Sequence, residues 1–498
     1  MGNQLSAINH VVVLALENRS FDQMLGFLYT DQGNKSPSGQ EYEGLSGNEF
    51  NLDANNKPVK VFRITPDMRN AYFMPGCDPG EDYFQVNQQL FGTADPPSPP
   101  VATNRGFLAN FTTNLPARKK NPRFGALPGT VPNNIMGAFA PETLPILCGL
   151  ARGFAVCDHW FASVPTETMP NRAFMCAATS QGKMGDSNVT PFTVKSIFGH
   201  LSDANIDWMI YGYNGTPFTR KDFPDTLSAP DGHFGKFTNF KAAAKAGNLP
   251  AYTFLEPDWS RTGNSQHPNY DVALGEQLIH DVYYALQGGA KWNQTLLIVI
   301  YDEHGGNYDH VPPPQGAVPP DNSVGDYGFD FKRFGVRVPA VLVSPLIEPG
   351  TVFRVSDETP PIDHTSILKT IERRWGLSPL TARDAASPDL GAVLTRTNAR
   401  TDDPLAGVRV PTSVGHVPSP NQPSHLQIVQ AKAVENLPVV DSKGRTDHEM
   451  PKLQTSQDYA KYINQRTAAW QNSAHHKKAI EDETEKRKRQ LAKGAANK

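Results

Sequence analysis

Five short stretches of this chain bring together residue types that do chemistry. Glu17-Asn18-Arg19-Ser20-Phe21-Asp22 follows directly on the apolar run Val11-Val12-Val13-Leu14-Ala15-Leu16. A carboxylate and an amide oxygen at the end of a buried strand are oxygen donors on a rigid base, the type that hard and borderline divalent metals prefer. The same six residues also read as an ordinary helix start, with Asn18 or Ser20 as cap and Asp22 in the first turn. The second stretch, Asp302-Glu303-His304-Gly305-Gly306-Asn307-Tyr308-Asp309-His310, follows the apolar run Leu296-Leu297-Ile298-Val299-Ile300-Tyr301. Three acids and two imidazoles this close together are costly to hold unless a cation or an anionic substrate balances them, and a solvated loop is the plainer reading. The Gly305-Gly306 pair lets backbone approach a ligand, or simply makes a turn.

The third stretch is Pro165-Thr166-Glu167-Thr168-Met169-Pro170-Asn171-Arg172, leading into a helical pattern. The Thr168 hydroxyl reads as a cap or, where a helix N-terminus attracts phosphate, as a nucleophile activated beside a metal. Arg172 and Asn171 are suited to phosphate oxygens. His267 in Asn264-Ser265-Gln266-His267-Pro268 and His364 in Pro361-Ile362-Asp363-His364-Thr365 each stand ahead of a helical pattern, where a lone histidine is commonly a cap or surface residue. An acidic loop, Gly76-Cys77-Asp78-Pro79-Gly80-Glu81-Asp82, carries one thiol.

Regular elements must position these clusters. Residues 8–16, 208–211, 296–301 and 338–343 are short apolar runs that predict buried parallel strands. Helical patterns cover 20–28, 142–152, 172–180, 275–286 and 364–375. Strand alternating with helix predicts an α/β fold, a central mostly parallel sheet flanked by helices, with ligands beyond the carboxyl ends of the strands. Residues 33–132 and 312–327, rich in Gly, Pro, Asn and Asp, read as long loops. We expect a catalytic domain over residues 1–397 and a C-terminal extension over 398–498, extended and proline-rich over 408–423, then helical over 456–490. Residues 471–498 carry a net charge of +4, a solvated helix or frayed end in the plain reading and an interaction tail in the other.

Composition sets limits on the whole. Of 498 residues, 40 are Gly and 43 Pro, about 17% where an average chain has roughly 12%, which points to many ordered loops. A formal charge of −3 and a pI near 6.5 argue against a general nucleic-acid binder. Cys77, Cys148, Cys157 and Cys176 lack CxxC spacing, which disfavours a zinc knuckle and leaves room for one or two disulfides. No run approaches 18 apolar residues, so no membrane span is expected. The opening residues read as no secretory signal, although Met1-Gly2-Asn3-Gln4-Leu5-Ser6 fits the myristoylation pattern. Tyr72, Phe73, Tyr83, Trp160 and Phe161 are candidates for a quaternary-ammonium cage or for ordinary core.

Glu17-Asn18-Arg19-Ser20-Phe21-Asp22, Thr168-Met169-Pro170-Asn171-Arg172, Gln266-His267-Pro268, Asp302-Glu303-His304-Gly305-Gly306 and Asp363-His364-Thr365-Ser366 occur in that order. Together they resemble the bacterial phosphoesterase family of phosphatidylcholine-type phospholipases C and respiratory-burst-inhibiting acid phosphatases. The resemblance runs from about residue 7 to about residue 380. It implies a fold related to alkaline phosphatases and sulfatases, and metal-assisted phosphoester hydrolysis. By that resemblance Glu17, Asn18, Asp302 and Glu303 hold the metal with Thr168, the nucleophile. Asn171 and Arg172 continue its motif, His267 stands beside the phosphate and protonates the leaving alcohol, and His304, His310 and His364 line the same region. Zinc is the expected ion, with calcium, magnesium and manganese open to all-oxygen ligands. The expected partner is a phospholipid or another phosphoester, met in transient contact with a membrane surface; oligomeric state is open. Location is either outside the cell, by resemblance, or cytoplasmic. Many members end the acidic loop in a histidine, whereas Asp78 and Glu81 stand near that place here.

Overall fold

The computed structural model describes residues 4–187, 192–356, 358–415, 417, 419–437, 439 and 450–473. At its centre lies an eight-stranded sheet: β1 (His10–Leu16), β2 (Ala155–Val156), β3 (Trp208–Gly212), β4 (Phe234–Lys236), β5 (Tyr252–Glu256), β6 (Thr295–Tyr301), β7 (Ala340–Val343) and β8 (Thr351–Val352). Their order is β8-β2-β7-β6-β1-β5-β3-β4. β1 runs parallel to both β6 and β5, with Leu14 beside Val299 and Leu255. All seven residues of β6, and β1 from Val11 onward, are buried, as expected of strands covered on both faces.

The helices used below are α1 (Phe21–Leu25), α2 (Tyr83–Phe91), α3 (Phe107–Lys120), α4 (Pro145–Gly153), α5 (Thr168–Ala177), α6 (Val272–Gln287), α7 (Thr365–Trp375), α8 (His425–Glu435) and α9 (Ser456–Gln471). α4 packs on α6 and on β7, and α5 packs on α7. α8 and α9 pair through Ala431, Val434, Ile463 and Trp470, while Leu426 and Val429 join the main core, so the extension is docked on the sheet assembly. None of the described helices is long and apolar enough to cross a membrane.

Several sequence expectations need correction. The strand within 338–343 is antiparallel to both neighbours, β6 and β2. The chain leaves β6 at its carboxyl end, stays on that side through the loop 302–339, and re-enters from there without a crossover helix, which forces the reversed direction. The stretch 33–132 is not all loop. α2 begins at Asp82, whose carboxylate accepts from Gln85 N–H (3.0 Å), and ends at Gly92 in the left-handed region. α3 was hidden by its internal Pro116 and two threonines, residues that weigh against a helix. β5 was missed as well. All four cysteines are buried and free, so no disulfide forms. Residues 1–3 of the myristoylation pattern and most of the charged tail lie outside the described residues.

Candidate active site

Because β1 and β6 are adjacent and parallel, with Leu16 beside Tyr301, Glu17-Asn18 and Asp302-Glu303 emerge side by side. Asn18 has φ +56°, a left-handed conformation that asparagine tolerates better than most residues. Its backbone N–H donates to Asp302 Oδ1 (3.0 Å), which also accepts from Glu303 N–H (2.8 Å). Gly305 and Gly306, both at positive φ, carry the chain between two backbones: a Cβ on Gly305 would fall 2.1 Å from Asn18 O, and one on Gly306 2.2 Å from Gly80 O. The pair therefore serves close approach of protein to protein.

Thr168 is the first residue of α5 and fully buried. Its hydroxyl caps nothing and instead donates to Asn18 Oδ1 (3.3 Å). Asp186 Oδ1 takes the next helix donor, Met169 N–H, at 2.8 Å. One turn on, the Arg172 guanidinium lies 3.8 Å from Asp302 and 3.7 Å from Glu256, over the Trp259 ring at 4.7 Å. Among the described residues none of its three nitrogens has a hydrogen-bond partner. A buried guanidinium with open donors is a site for a multi-oxygen anion. Asn171 faces the other way. Its amide donates to Val164 O and Thr166 O and accepts from Val164 N–H, which folds the turn before α5.

His267 sits where the acidic loop meets this cluster. Its Nδ1–H donates to Pro268 O (3.1 Å), its ring stacks on Tyr270, and its Nε2 has no partner among the described residues. Burial pulls it down to about 4, so the ring is neutral with Nε2 bare, an acceptor. Asp78, Glu81 and His267 bring donor atoms within 4.8 Å of one another, and Glu81 also accepts from the Asn18 amide (2.9 Å). A cavity of about 220 Å3 is lined by this trio with Glu167, Tyr270 and His425.

The other histidines are engaged elsewhere. His364 donates Nε2–H to the Asp302 carbonyl (2.5 Å) and accepts from Trp160 Nε1–H (3.4 Å), bracing the peptide at the end of β6. His304 donates to Gln89 of α2 (2.8 Å), with its Nδ1 3.2 Å from Glu303. Burial lowers the first to about 4 and the second to about 3. His310 belongs to a separate network with Asp22, Asp309 and Arg337. Of the aromatic candidates, Tyr72, Phe73, Trp160 and Phe161 are buried in apolar clusters and do not line the cavity.

A cation fits the oxygen cluster on chemical grounds. Asp302 Oδ2 and Glu303 Oε1 are buried and have no hydrogen-bond partner among the described residues. Burial, with repulsion from Asp302 on Glu17 and from Glu81 and Asp302 on Glu303, pushes both well above the usual carboxylate range, and burial lifts Asp302 to about 6. Arg172 alone is too little positive charge for this group. Glu17, Asp302 and Glu303 are not themselves one of the convergent three-donor groups, which among the described residues are Asp22–Asp309–His310 and Asp78–Glu81–His267. Arg337 already neutralises the first of these.

Sequence reasoning missed Arg19, Glu256, Asp186 and His425. Glu256 ends the apolar run Tyr252-Thr253-Phe254-Leu255, the same strand-end carboxylate pattern that exposed Glu17 and Asp302. No local signal marks Asp186 or His425, which meet only in three dimensions.

Residues 8–378 match the model of the Phosphoesterase family. The chain is 36% identical over 434 residues to the non-specific phospholipase C3 of Arabidopsis thaliana, covering 82% of this chain and 78% of that one. It is 28% identical over 418 residues to the phospholipase C A of Mycobacterium tuberculosis, covering 75% and 74%. Among solved structures, a protein in the alkaline phosphatase superfamily from Vibrio parahaemolyticus aligns at TM-score 0.30 and 14% identity, covering 49% of this chain and 64% of that one.

Proposed function

From a chain that belongs to the phosphoesterase family and is a phosphoric ester hydrolase, we propose a phospholipase C that cleaves phosphatidylcholine-type lipids to diacylglycerol and phosphocholine. The observation that carries this reading is the buried Thr168 hydroxyl at a helix N-terminus, one turn from a guanidinium with open donors and linked through Asn18 to Asp302, whose Oδ2, like Glu303 Oε1, is open. Glu17, Asn18, Thr168, Asp302 and Glu303 would hold a divalent cation, with zinc first by family resemblance. When bound, such an ion supplies charge to the phosphoryl oxygens and lowers the pKa of a coordinated hydroxyl.

The chain's own residues do the rest. Arg172 binds the equatorial phosphoryl oxygens and stabilises the charge that grows on them. Thr168 Oγ1 attacks phosphorus, the diacylglycerol oxygen leaves, and a phosphothreonine forms. His267, with Nδ1–H tied to Pro268 O and Nε2 bare, accepts the proton of the water that hydrolyses it. In the first step the same ring takes the Thr168 proton and passes it to the leaving diacylglycerol oxygen, and in the second it returns the water's proton to Thr168 Oγ1, so it ends neutral as it began. His364 and His304 act as positioning residues, through Asp302 and Glu303. The cavity's four acidic residues, Asp78, Glu81, Asp82 and Glu167, outnumber its three arginines, Arg118, Arg123 and Arg261, and so favour a cationic headgroup beside the phosphate.

The experiment compares purified protein on phosphatidylcholine, p-nitrophenylphosphorylcholine and p-nitrophenyl phosphate, with and without zinc. We expect higher kcat/KM on the choline diester than on the monoester, because a lining with one more acid than arginine repels a dianion more than a monoanion. The reverse order by tenfold, about 1.4 kcal/mol in the transition state, would instead support a broad acid phosphatase.

A further inference from the structure

A column of aromatic rings starts on the helix that carries Thr168 and ends in solvent. Phe174 of α5 meets Phe331 at 6.0 Å between centroids, and Phe331 meets Phe329 at 5.0 Å. Phe329 meets Tyr83 at 5.7 Å, and Tyr83 stacks on Tyr327 at 5.5 Å, with Phe84 4.6 Å from Tyr327. The inner rings are buried, whereas Phe84 is 42%, Tyr327 61% and Val324 81% exposed.

The loop that carries Val324 and Tyr327 is held open rather than free to fold these side chains away. Asp326 N–H donates to Gly182 O (2.8 Å), its carboxylate accepts from Met184 N–H (3.1 Å), and Gly325 N–H donates to Phe329 O (3.0 Å). Tyr327 sits at φ +61°, a left-handed conformation that bulky residues adopt only when their surroundings impose it. A cavity of about 410 Å3 runs inward from Phe84 and Tyr327 to Glu167, the residue before Thr168. It shares Arg123, Glu167 and His425 with the cavity at His267. The exposed Lys432 also lines it.

We propose that Phe84, Val324 and Tyr327 form a docking surface that enters the interfacial layer of a phospholipid membrane, so that a lipid headgroup reaches Thr168 without its tails leaving the bilayer. This rests on the phospholipase reading. Aromatic rings with one polar edge are favoured at headgroup depth, and Lys432 beside them complements lipid phosphates. Three exposed side chains are far less than the roughly 800 Å2 per partner that a stable protein interface buries, so a lipid surface suits them better than a second copy.

The test replaces all three by serine (Phe84→Ser, Val324→Ser, Tyr327→Ser) and measures co-sedimentation with vesicles of pure phosphatidylcholine. Binding is read in a Thr168→Ala background so that lipid is not consumed. We expect vesicle binding and vesicle turnover to fall tenfold or more, while kcat/KM on p-nitrophenylphosphorylcholine stays within twofold. If the triple variant misfolds by circular dichroism, Val324→Ser alone is expected to weaken vesicle binding measurably. Unchanged vesicle binding, or an equal fall on both substrates, overturns the proposal, as does loss of a dimer in place of vesicle binding. Rim-dependent vesicle binding by a protein that turns over no choline diester would leave the docking surface standing and remove the phospholipase reading.

Discussion

The guanidinium of Arg19 donates to the backbone carbonyl of His267 at 3.0 Å. It also donates to Gln266 O (2.5 Å) and to Met74 O (2.8 Å), so one fully buried side chain ties the end of β1 to the histidine segment and to the start of the acidic loop. Burial drags this guanidinium down to about 9, and its hydrogen bonds are what keep a charge there tolerable. Lysine has no planar fork with which to reach three carbonyls. Arg19→Lys is therefore expected to lower kcat on p-nitrophenylphosphorylcholine by about tenfold to a hundredfold, since small displacements of a reacting group cost on that order. KM should move little. A parallel drop in Tm is expected from the unpaired carbonyls, and an unchanged kcat would remove Arg19 from any part in placing His267.

Thr168 offers a cleaner test, because its hydroxyl makes a single long hydrogen bond to Asn18. Thr168→Ala should cost about 1–3 kcal/mol of stability, since it leaves the buried Asn18 Oδ1 without its donor. Turnover should fall by at least about a thousandfold, as when other enzymes lose their nucleophile. Thr168→Ser should retain part of the activity. Denaturant midpoints and steady-state rates on the same preparations check both halves, and near-normal turnover by the alanine variant would falsify the nucleophile assignment.

Asp302 can be altered without changing its shape. An asparagine there still accepts from Asn18 N–H and Glu303 N–H through Oδ1, but places an NH2 group where Oδ2 lies open. Asp302→Asn is expected to keep the fold and to carry less divalent metal by elemental analysis. Chelation should abolish turnover of the unaltered protein, with recovery on adding zinc. Full activity of a demonstrably metal-free preparation would exclude the oxygen cluster as a working metal site.

The ends of β1 and β6 were legible because both apolar runs stop abruptly at a carboxylate, and the fold needs that pattern to place Glu17 beside Asp302. What the sequence could not carry is direction and company. An apolar run such as Ala340–Val343 is equally buried whichever way it runs, so its antiparallel sense depends on the path of the preceding loop. Histidines were legible as residues and not as roles. His364 and His304 look alike beside acids in the sequence, yet one is tied to a backbone carbonyl and the other to Gln89, some two hundred residues away. Asp186 and His425 meet at 2.8 Å across more than two hundred residues, a pairing that no local spacing announces.

The network around His310 predicts a pH dependence of stability apart from catalysis. His310 Nδ1 lies 2.7 Å from Asp22 Oδ2, and Arg337 pairs with Asp22 at 2.8 Å and Asp309 at 2.9 Å. Burial works to lower His310, but the Asp22 carboxylate outweighs it and holds the imidazole above its usual 6.5. Burial likewise works to raise Asp22, and His310 with Arg337 outweighs that and holds the carboxyl below its usual 3.8. A histidine raised in the folded state contributes stability that is complete below 6.5 and lost as pH rises through its folded value. A depressed carboxyl contributes stability present above 3.8 and lost as pH falls through its folded value. The pair is thus fully stabilising between those two limits. Urea midpoints measured at pH 5.5 and 8.5 should fall more for the unaltered protein than for His310→Asn, which cannot gain a proton. Equal losses in the two proteins would mean that His310 is not charged in the folded state, and that Arg337 alone balances Asp22 and Asp309.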